Sequence, residues 1–344
     1  MTVPAPTAAA RPTPGSLGDA FDAADPDLSA ALRSGLTEVE ERLRGVAEAS
    51  HPLLAQTAVH LVRAGGKRFR PLLALLAGQL GDGAASGVVD AGVVVELTHL
   101  ATLYHDDVMD EADVRRGAQS ANARWTNTVA ILTGDYLFAR ASDLVADLGP
   151  EAVRIQARTF ARLVEGQISE TAGPAEGQDA VEHHLAVLAD KTGSLISTSA
   201  RLGALLAGAP AEQVDTVARF GEVVGLAFQL SDDLIDVASE SGQSGKTPGT
   251  DLREGIRTLP VLLVLADAAP ADARLRTLVS APLPDDREHA EALALLRASA
   301  GMAAARATLA QHIALAQSVA QELPSGPVQD ALLGLAGYVL ARTG

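Results

Sequence analysis

At 344 residues the chain can form one large domain or two ordinary ones and can bury a sizeable core. It is 47% hydrophobic, dominated by Ala, Leu and Val, with 3% aromatic residues and a formal net charge of -16. That charge argues against non-specific nucleic-acid binding, which needs clustered Lys and Arg. The absence of cysteine removes disulfides and thiolate metal sites and fits a reducing compartment. Ala and Leu are strong helix formers, so composition points to an all-α protein.

In chain order, residues 1–16 are rich in Ala, Pro and Thr and lack an apolar segment behind a basic start, so they read as a disordered tail and not a secretory signal. Residues 17–344 are expected to form a single all-α domain. No apolar run approaches the roughly 20 residues needed to cross a bilayer, and the chain reads as soluble and cytoplasmic. Leu28, Leu32 and Leu36 share one helical face. Breaks fall at Ala64-Gly65-Gly66 and Gly81-Asp82-Gly83, and Val88 to Asp110 reads as one long helix. Further helices are predicted over Thr128 to Leu148, Glu151 to Thr171, Val181 to Gly208 and Ala211 to Val237. Beyond Pro260 they continue over Val261 to Ala268, Asp286 to Ala298, Gly301 to Glu322 and Val328 to Arg342. Period-2 alternation is absent over any useful length, so no sheet is expected. The Gly-containing stretch Ser239 to Thr250, with Lys246, reads as a mobile loop that contacts phosphate.

The first acidic cluster is Asp106-Asp107-Val108-Met109-Asp110. On a helix, Asp106 and Asp110 lie one turn apart on nearly the same face, with Asp107 beside them. Like charges placed this way repel, more so when buried, and a cation would offset the repulsion. A second cluster, Asp232-Asp233-Leu234-Ile235-Asp236, repeats the spacing. One such cluster reads best as a solvated acidic face. Two, each following a strongly apolar helical run, favour a site at the edge of a core. Hard oxygen donors suit Mg2+, which makes all six carboxylates candidate metal ligands.

Cations are scarce, and their placement is informative. Lys67, Arg68 and Arg70 stand at a loop-to-helix boundary, where acids would be the usual choice. A phosphate there would complete the electrostatics. Arg115 and Arg116 follow the first cluster, Lys191 follows Asp190, and Lys246 lies in the loop after the second cluster. An ordinary salt bridge from Arg115 or Arg116 to Asp113 or Glu111 is the alternative. His99 lies seven residues before Asp106, on the same helical face to within about 20°.

Five blocks, in order along the chain, resemble the trans-isoprenyl diphosphate synthases, or polyprenyl synthetases. They are Gly65-Gly66-Lys67-Arg68-Phe69-Arg70-Pro71, Glu96-Leu97-Thr98-His99, His105 to Gly117, Lys191-Thr192-Gly193, and Phe228 to Asp236 followed by Gly245-Lys246. The resemblance implies an all-α bundle around a deep pocket, usually a homodimer, with three Mg2+ ions when substrate is bound. Asp106, Asp107, Asp110 and Asp232, with Asp236, would hold the metal against an allylic diphosphate. Lys67, Arg70, His99 and Arg116 would bind isopentenyl diphosphate. Arg115, Lys191 and Lys246 would contact the allylic diphosphate, and Thr192 and Gln229 would stabilise the developing cation.

In the family, bulky aromatics one turn below the first Asp close the pocket and stop the chain short. Ala101 and Thr102, at that depth here, are small. The expectation is therefore a medium-to-long all-trans polyprenyl diphosphate, of the kind used for quinone side chains. Leu132, Leu137 and Phe138 on the next helix are candidates for a deeper floor. The competing readings are a shorter-chain farnesyl or geranylgeranyl diphosphate synthase, a class I terpene cyclase and a non-catalytic partner subunit. A cyclase would need aromatics to guide cations, and a partner subunit tends to lose the Asp clusters. The C-terminus departs from the basic tail of many relatives, offering only Arg342.

Overall fold

Leucine or valine on one helical face makes the first element, α1 (Pro26–Val46), whose Leu28, Leu32, Val39 and Leu43 are buried. The computed structural model describes residues 25–46, 51–239, 248–267 and 269–343. The expected tail over 1–16 and Lys246 therefore lie outside the described residues. Two short helices, α2 (Pro52–Ala58) and α3 (His60–Arg63), lead to Gly65 and Gly66, whose φ values of 81° and 150° turn the chain into α4 (Phe69–Gly78).

The central element is α5 (Ser86–Met109), which packs on α1 and α4. By length and composition alone it would pass as a membrane span, contrary to the expectation that no run does so. Its apolar window is 67% buried inside the fold, so the surface that could face lipid faces protein instead. It ends at the first acidic cluster. A two-residue hairpin follows, β1 (Val114–Arg115) with β2 (Ala118–Gln119), paired Val114 to Gln119 and Arg115 to Ala118. The positive φ of Arg116 and Gly117 at its turn gives the primed geometry that suits twisted strands. Strands this short carry no alternation signal, which is why none was expected.

After α6 (Ala121–Arg124) come α7 (Asn127–Asp147), capped by the Thr126 hydroxyl, and α8 (Pro150–Ala172). The single helix expected over Val181 to Gly208 is instead α9 (Ala180–Leu188), a π-helical turn over Ala189–Gly193, and α10 (Ser194–Leu206). The second long helix is α11 (Ala211–Ala238), which carries the second acidic cluster. The chain closes with α12 (Thr250–Glu254), α13 (Leu259–Ala266), α14 (Ala273–Leu278), α15 (Asp286–Ala298), α16 (Ala300–Ala320) and α17 (Pro327–Ala341). One buried apolar cluster runs from Leu28 to Val339.

Helices α4 and α10 meet through small residues. A Cβ at Gly203 of α10 would stand 2.0 Å from the Ala74 carbonyl oxygen of α4. Gly203→Ala should therefore force the two helices apart and destabilise the fold by roughly 2–3 kcal/mol. Urea unfolding monitored by circular dichroism measures that shift.

Candidate active site

A cavity of roughly 250 Å³ opens between the helices. Its lining includes Arg70 from α4, His99, Thr102 and Asp106 from α5, Lys191 and Thr192 from the π-turn, and Gln229 from α11. Residues far apart in sequence and singled out by their chemistry thus share one space.

The six carboxylates are not equivalent. Asp106 faces the cavity; burial raises its pKa, Asp110 adds to the rise, and Lys191 and Arg115 oppose it. Asp107 is fully buried and accepts from Arg115 Nε at 2.5 Å. Burial raises its pKa too, against the bond from Arg115. Asp110 is exposed, 3.7 Å from the same guanidinium. Arg115 thus pairs with the acidic cluster itself and not with Asp113 or Glu111. In the second cluster, Asp232 accepts from Arg342 at 2.5 Å. Asp233 is buried, accepts from Gln229 Nε2 at 3.2 Å, and lies 3.6 Å from His184 of α9. Asp236 turns to the start of α12, accepting from the backbone N–H of Thr250 and Asp251 at 3.3 and 3.2 Å.

Among the described residues, no three His, Cys, Asp or Glu side chains converge as a protein-only metal cage. The donor set still fits a hard divalent cation. One buried oxygen each of Asp107 and Asp233 accepts no hydrogen bond among the described residues. Burial also leaves the charged forms of Asp106 and Asp107 undercompensated. Mg2+ is commonly held by one or two carboxylates, with water and phosphate completing its shell.

The opposite character prevails around α4. Arg70 is desolvated, which lowers its pKa to about 10, with Glu96 opposing and Arg116 reinforcing the shift. It stays charged at neutral pH, yet its buried Nε has no partner among the described residues. Burial, followed by the arginines at positions 70, 116, 115 and 68, drives the His99 pKa well below its usual value, so the ring is neutral. Glu96, 2% exposed, accepts from Arg68 at 2.7 Å and lies 3.7 Å from Arg116. Arg116 also donates to the Gly65 and Leu61 carbonyls. A Cβ at Gly66 would meet that guanidinium at 3.0 Å, so glycine is what lets it lie against the loop. Lys67 stands 5.8 Å from the Phe228 ring centroid and Arg342 4.6 Å, two cations on one ring. Burial, then Arg342, lowers the Lys67 pKa, with Asp232 opposing.

Between the two sides, Lys191 donates to Glu170 at 2.5 Å, and the Thr192 hydroxyl donates to Gln229 Oε1 at 3.4 Å. The apolar end differs from its sequence reading. Thr102 lines the cavity, whereas Ala101 is fully buried and is not part of the lining. Leu132 is 59% exposed and Leu137 lies in the core, while Phe138 reaches the cavity. There it packs on Phe160 of α8, with ring centroids 4.2 Å apart. Sequence reasoning missed Phe160, Glu170 and His184, which carry no local signal. It undervalued Arg342, whose position at the end of an apolar helix was the available clue.

The polyprenyl synthetase family model matches residues 51–296. The chain is 52% identical to the nonaprenyl diphosphate synthase of Mycobacterium tuberculosis, over 96% of this chain and 99% of that one. It superposes with a TM-score of 0.84 on a Corynebacterium glutamicum geranylgeranyl pyrophosphate synthase complexed with calcium and isoprenyl diphosphate. That chain is 46% identical, with 93% and 98% of the two chains covered. A Rhodobacter capsulatus decaprenyl diphosphate synthase gives a TM-score of 0.83 at 34% identity, with 92% and 99% covered.

The raised pKa of Asp106 has a thermodynamic sign. A carboxyl that titrates higher in the folded than in the unfolded state loses stability as pH rises through that window. Asp106→Asn removes the penalty. The metal-free variant should melt higher than the unsubstituted protein near neutral pH, and the gap should shrink in acid. Its turnover should fall by at least about 100-fold. Calorimetric melts across pH, paired with activity assays, test both halves.

Proposed function

We propose, from the premise that this chain belongs to the polyprenyl synthetase family, that it lengthens an allylic diphosphate with isopentenyl diphosphate to a medium-to-long all-trans polyprenyl diphosphate. The observation that carries this is the polarity of the cavity, with Asp106 on one wall and, on another, Arg70, whose buried Nε has no hydrogen-bond partner among the described residues. One diphosphate would be held through metal and the other by protein cations directly.

On the direct side, Arg70 and Arg116 would fork the isopentenyl diphosphate, with Lys67 as a point charge and neutral His99 as a donor. On the other side, Asp106, Asp107, Asp110 and Asp232 would hold Mg2+, with Asp233 supplying the oxygen that accepts no hydrogen bond among the described residues. Asp236 would join only by releasing the N–H groups of Thr250 and Asp251. Three ions with substrate bound is the number the resemblance implies. When bound, the metal supplies positive charge opposite the departing diphosphate. Lys191 and Arg115 would donate to the same diphosphate, as would Lys246. The allylic C–O bond breaks, and its electron pair leaves with the diphosphate. The oxygens of Thr192 and Gln229 face the electron-poor carbon. The isopentenyl double bond then attacks, forming the new C–C bond, and the released diphosphate takes the proton lost. Leu103, Leu163 and Leu195, which line the cavity, would keep water from the cation.

The homodimer and the cytoplasmic location belong to the same reading. Exposed Ile131 and Leu132 of α7 and Val164 and Ile168 of α8 offer apolar surface that a second copy would cover. For product length, Phe138 and Phe160, which line the cavity and pack on each other, would be its apolar stop. A growing chain would have to swing these rings aside, and a geranylgeranyl-sized product is the reading in which they do not move.

The purified protein, incubated with isopentenyl diphosphate, an allylic primer and Mg2+, should yield elongated diphosphates and lose turnover on chelation. Hydrocarbon products would instead mean a cyclase, and a silent protein would mean a partner subunit. Phe138→Ala and Phe160→Ala should each shift the dephosphorylated products to longer chains by chromatography. An unchanged distribution in both removes the rings from length control.

A further inference from the structure

The π-turn that carries Lys191 and Thr192 interrupts an otherwise continuous helical stretch, and such interruptions persist only where their surroundings hold them. Here α8, the π-turn and α11 approach backbone to backbone. A Cβ at Gly166 would lie 3.0 Å from Lys191 N, one at Gly193 would lie 3.1 Å from the Glu222 carbonyl oxygen, and one at Gly225 would lie 2.9 Å from Gly193 Cα. Across this junction Arg162 of α8 grips two carboxylates. It donates from Nε to Asp190 at 2.9 Å, and from its two terminal nitrogens to Glu222 at 2.6 and 3.2 Å. Asp190 immediately precedes Lys191, and Glu222 lies about two turns before Gln229 on α11.

We propose that Arg162 is a positioning residue for the allylic half of the site. By clamping Asp190 and Glu222 it fixes the π-turn against α11, so that Lys191 faces Asp106 and the Thr192 hydroxyl meets Gln229. Arg162 does not line the cavity and so acts only through these neighbours. An isolated exposed ion pair would have little effect, but a fork that binds one carboxylate at two points and a second on another element defines a geometry. The inference rests on the prenyl-transfer reading above.

The test compares Arg162→Gln with the unsubstituted enzyme at varied concentrations of each substrate. The variant should lose roughly 10- to 100-fold in kcat. Its KM for the allylic diphosphate should rise several-fold, while its KM for isopentenyl diphosphate should stay within about twofold, because the Arg70 side of the cavity is untouched. Arg162→Lys should recover little, since an ammonium cannot fork. Glu222→Gln, which keeps the guanidinium, should show the same split in smaller degree and serves if Arg162→Gln does not fold. Arg201→Gln breaks a 2.9 Å pair with Asp215 that also joins α10 to α11, and should change neither constant. Equal rises in both KM values, full activity in a folded Arg162→Gln, or restoration by lysine would each overturn the clamp. An unsubstituted enzyme that elongates nothing would sink the prenyl-transfer reading itself.

Discussion

Burying like charges without enough counter-charge is the constraint around which this molecule is organised. Asp106 and Asp107 sit close together on α5 with burial opposing their ionisation, and Arg115 compensates Asp107 more fully than it does Asp106. Across the cavity, Arg70 is charged and desolvated while the carboxylate beside it is engaged by Arg68 and Arg116. Each side is an incomplete electrostatic arrangement, in which a desolvated ion lacks the partner that would offset its burial. The acidic side calls for a cation and the basic side for an anion. A metal-bound diphosphate and a bare one, as proposed above, would supply both.

Keeping that arrangement in place requires rigidity from residues that touch no substrate. Glu96 holds Arg68 and Arg116 in register, and Arg68 reaches further to Glu40. Three non-glycine residues with positive φ, Arg68, Glu111 and Arg116, sit in the loops flanking the cavity's charged rim. Such conformations cost energy and persist only where surrounding contacts enforce them. The enforcement comes from α4, whose residues are almost all buried, and from the buried face of α5, whose packing resists local relaxation.

The apolar part of the cavity obeys a different logic. On the proposed reading the charged rim would fix where the diphosphates sit, and with them the level at which new bonds form. A growing chain would then run toward Phe138 of α7 and Phe160 of α8, where apolar side chains line the cavity. Phe138 and Phe160 meet there because α7 and α8 pack against one another. Reaction type and product length are thereby physically separable, and relatives that share this fold carry names with different chain lengths.

Most of the fold was legible in the sequence, because helical periodicity is a local property and a chain rich in Ala and Leu expresses it clearly. The boundaries of α7, α8, α11 and α15 fall within two residues of expectation or coincide with it. Asp106 and Lys191 were legible too, since rare charges beside apolar helices are visible in one dimension, whereas Thr192 and Gln229 came only from the family resemblance. The π-turn was not, because the close approaches around it join Gly166 of α8 and Gly225 of α11 to its own Gly193 and Lys191, and such contacts are invisible in one dimension. Nor was the inequality of the six carboxylates, since equal spacing says nothing about which side chain finds Arg115, Gln229 or a helix start. Sequence by itself determined that this is a helical protein bearing two acidic triads and a cationic loop. Only the tertiary structure decided which of those charges face the cavity and which rings close it, because burial and partner distance are properties of the packed chain.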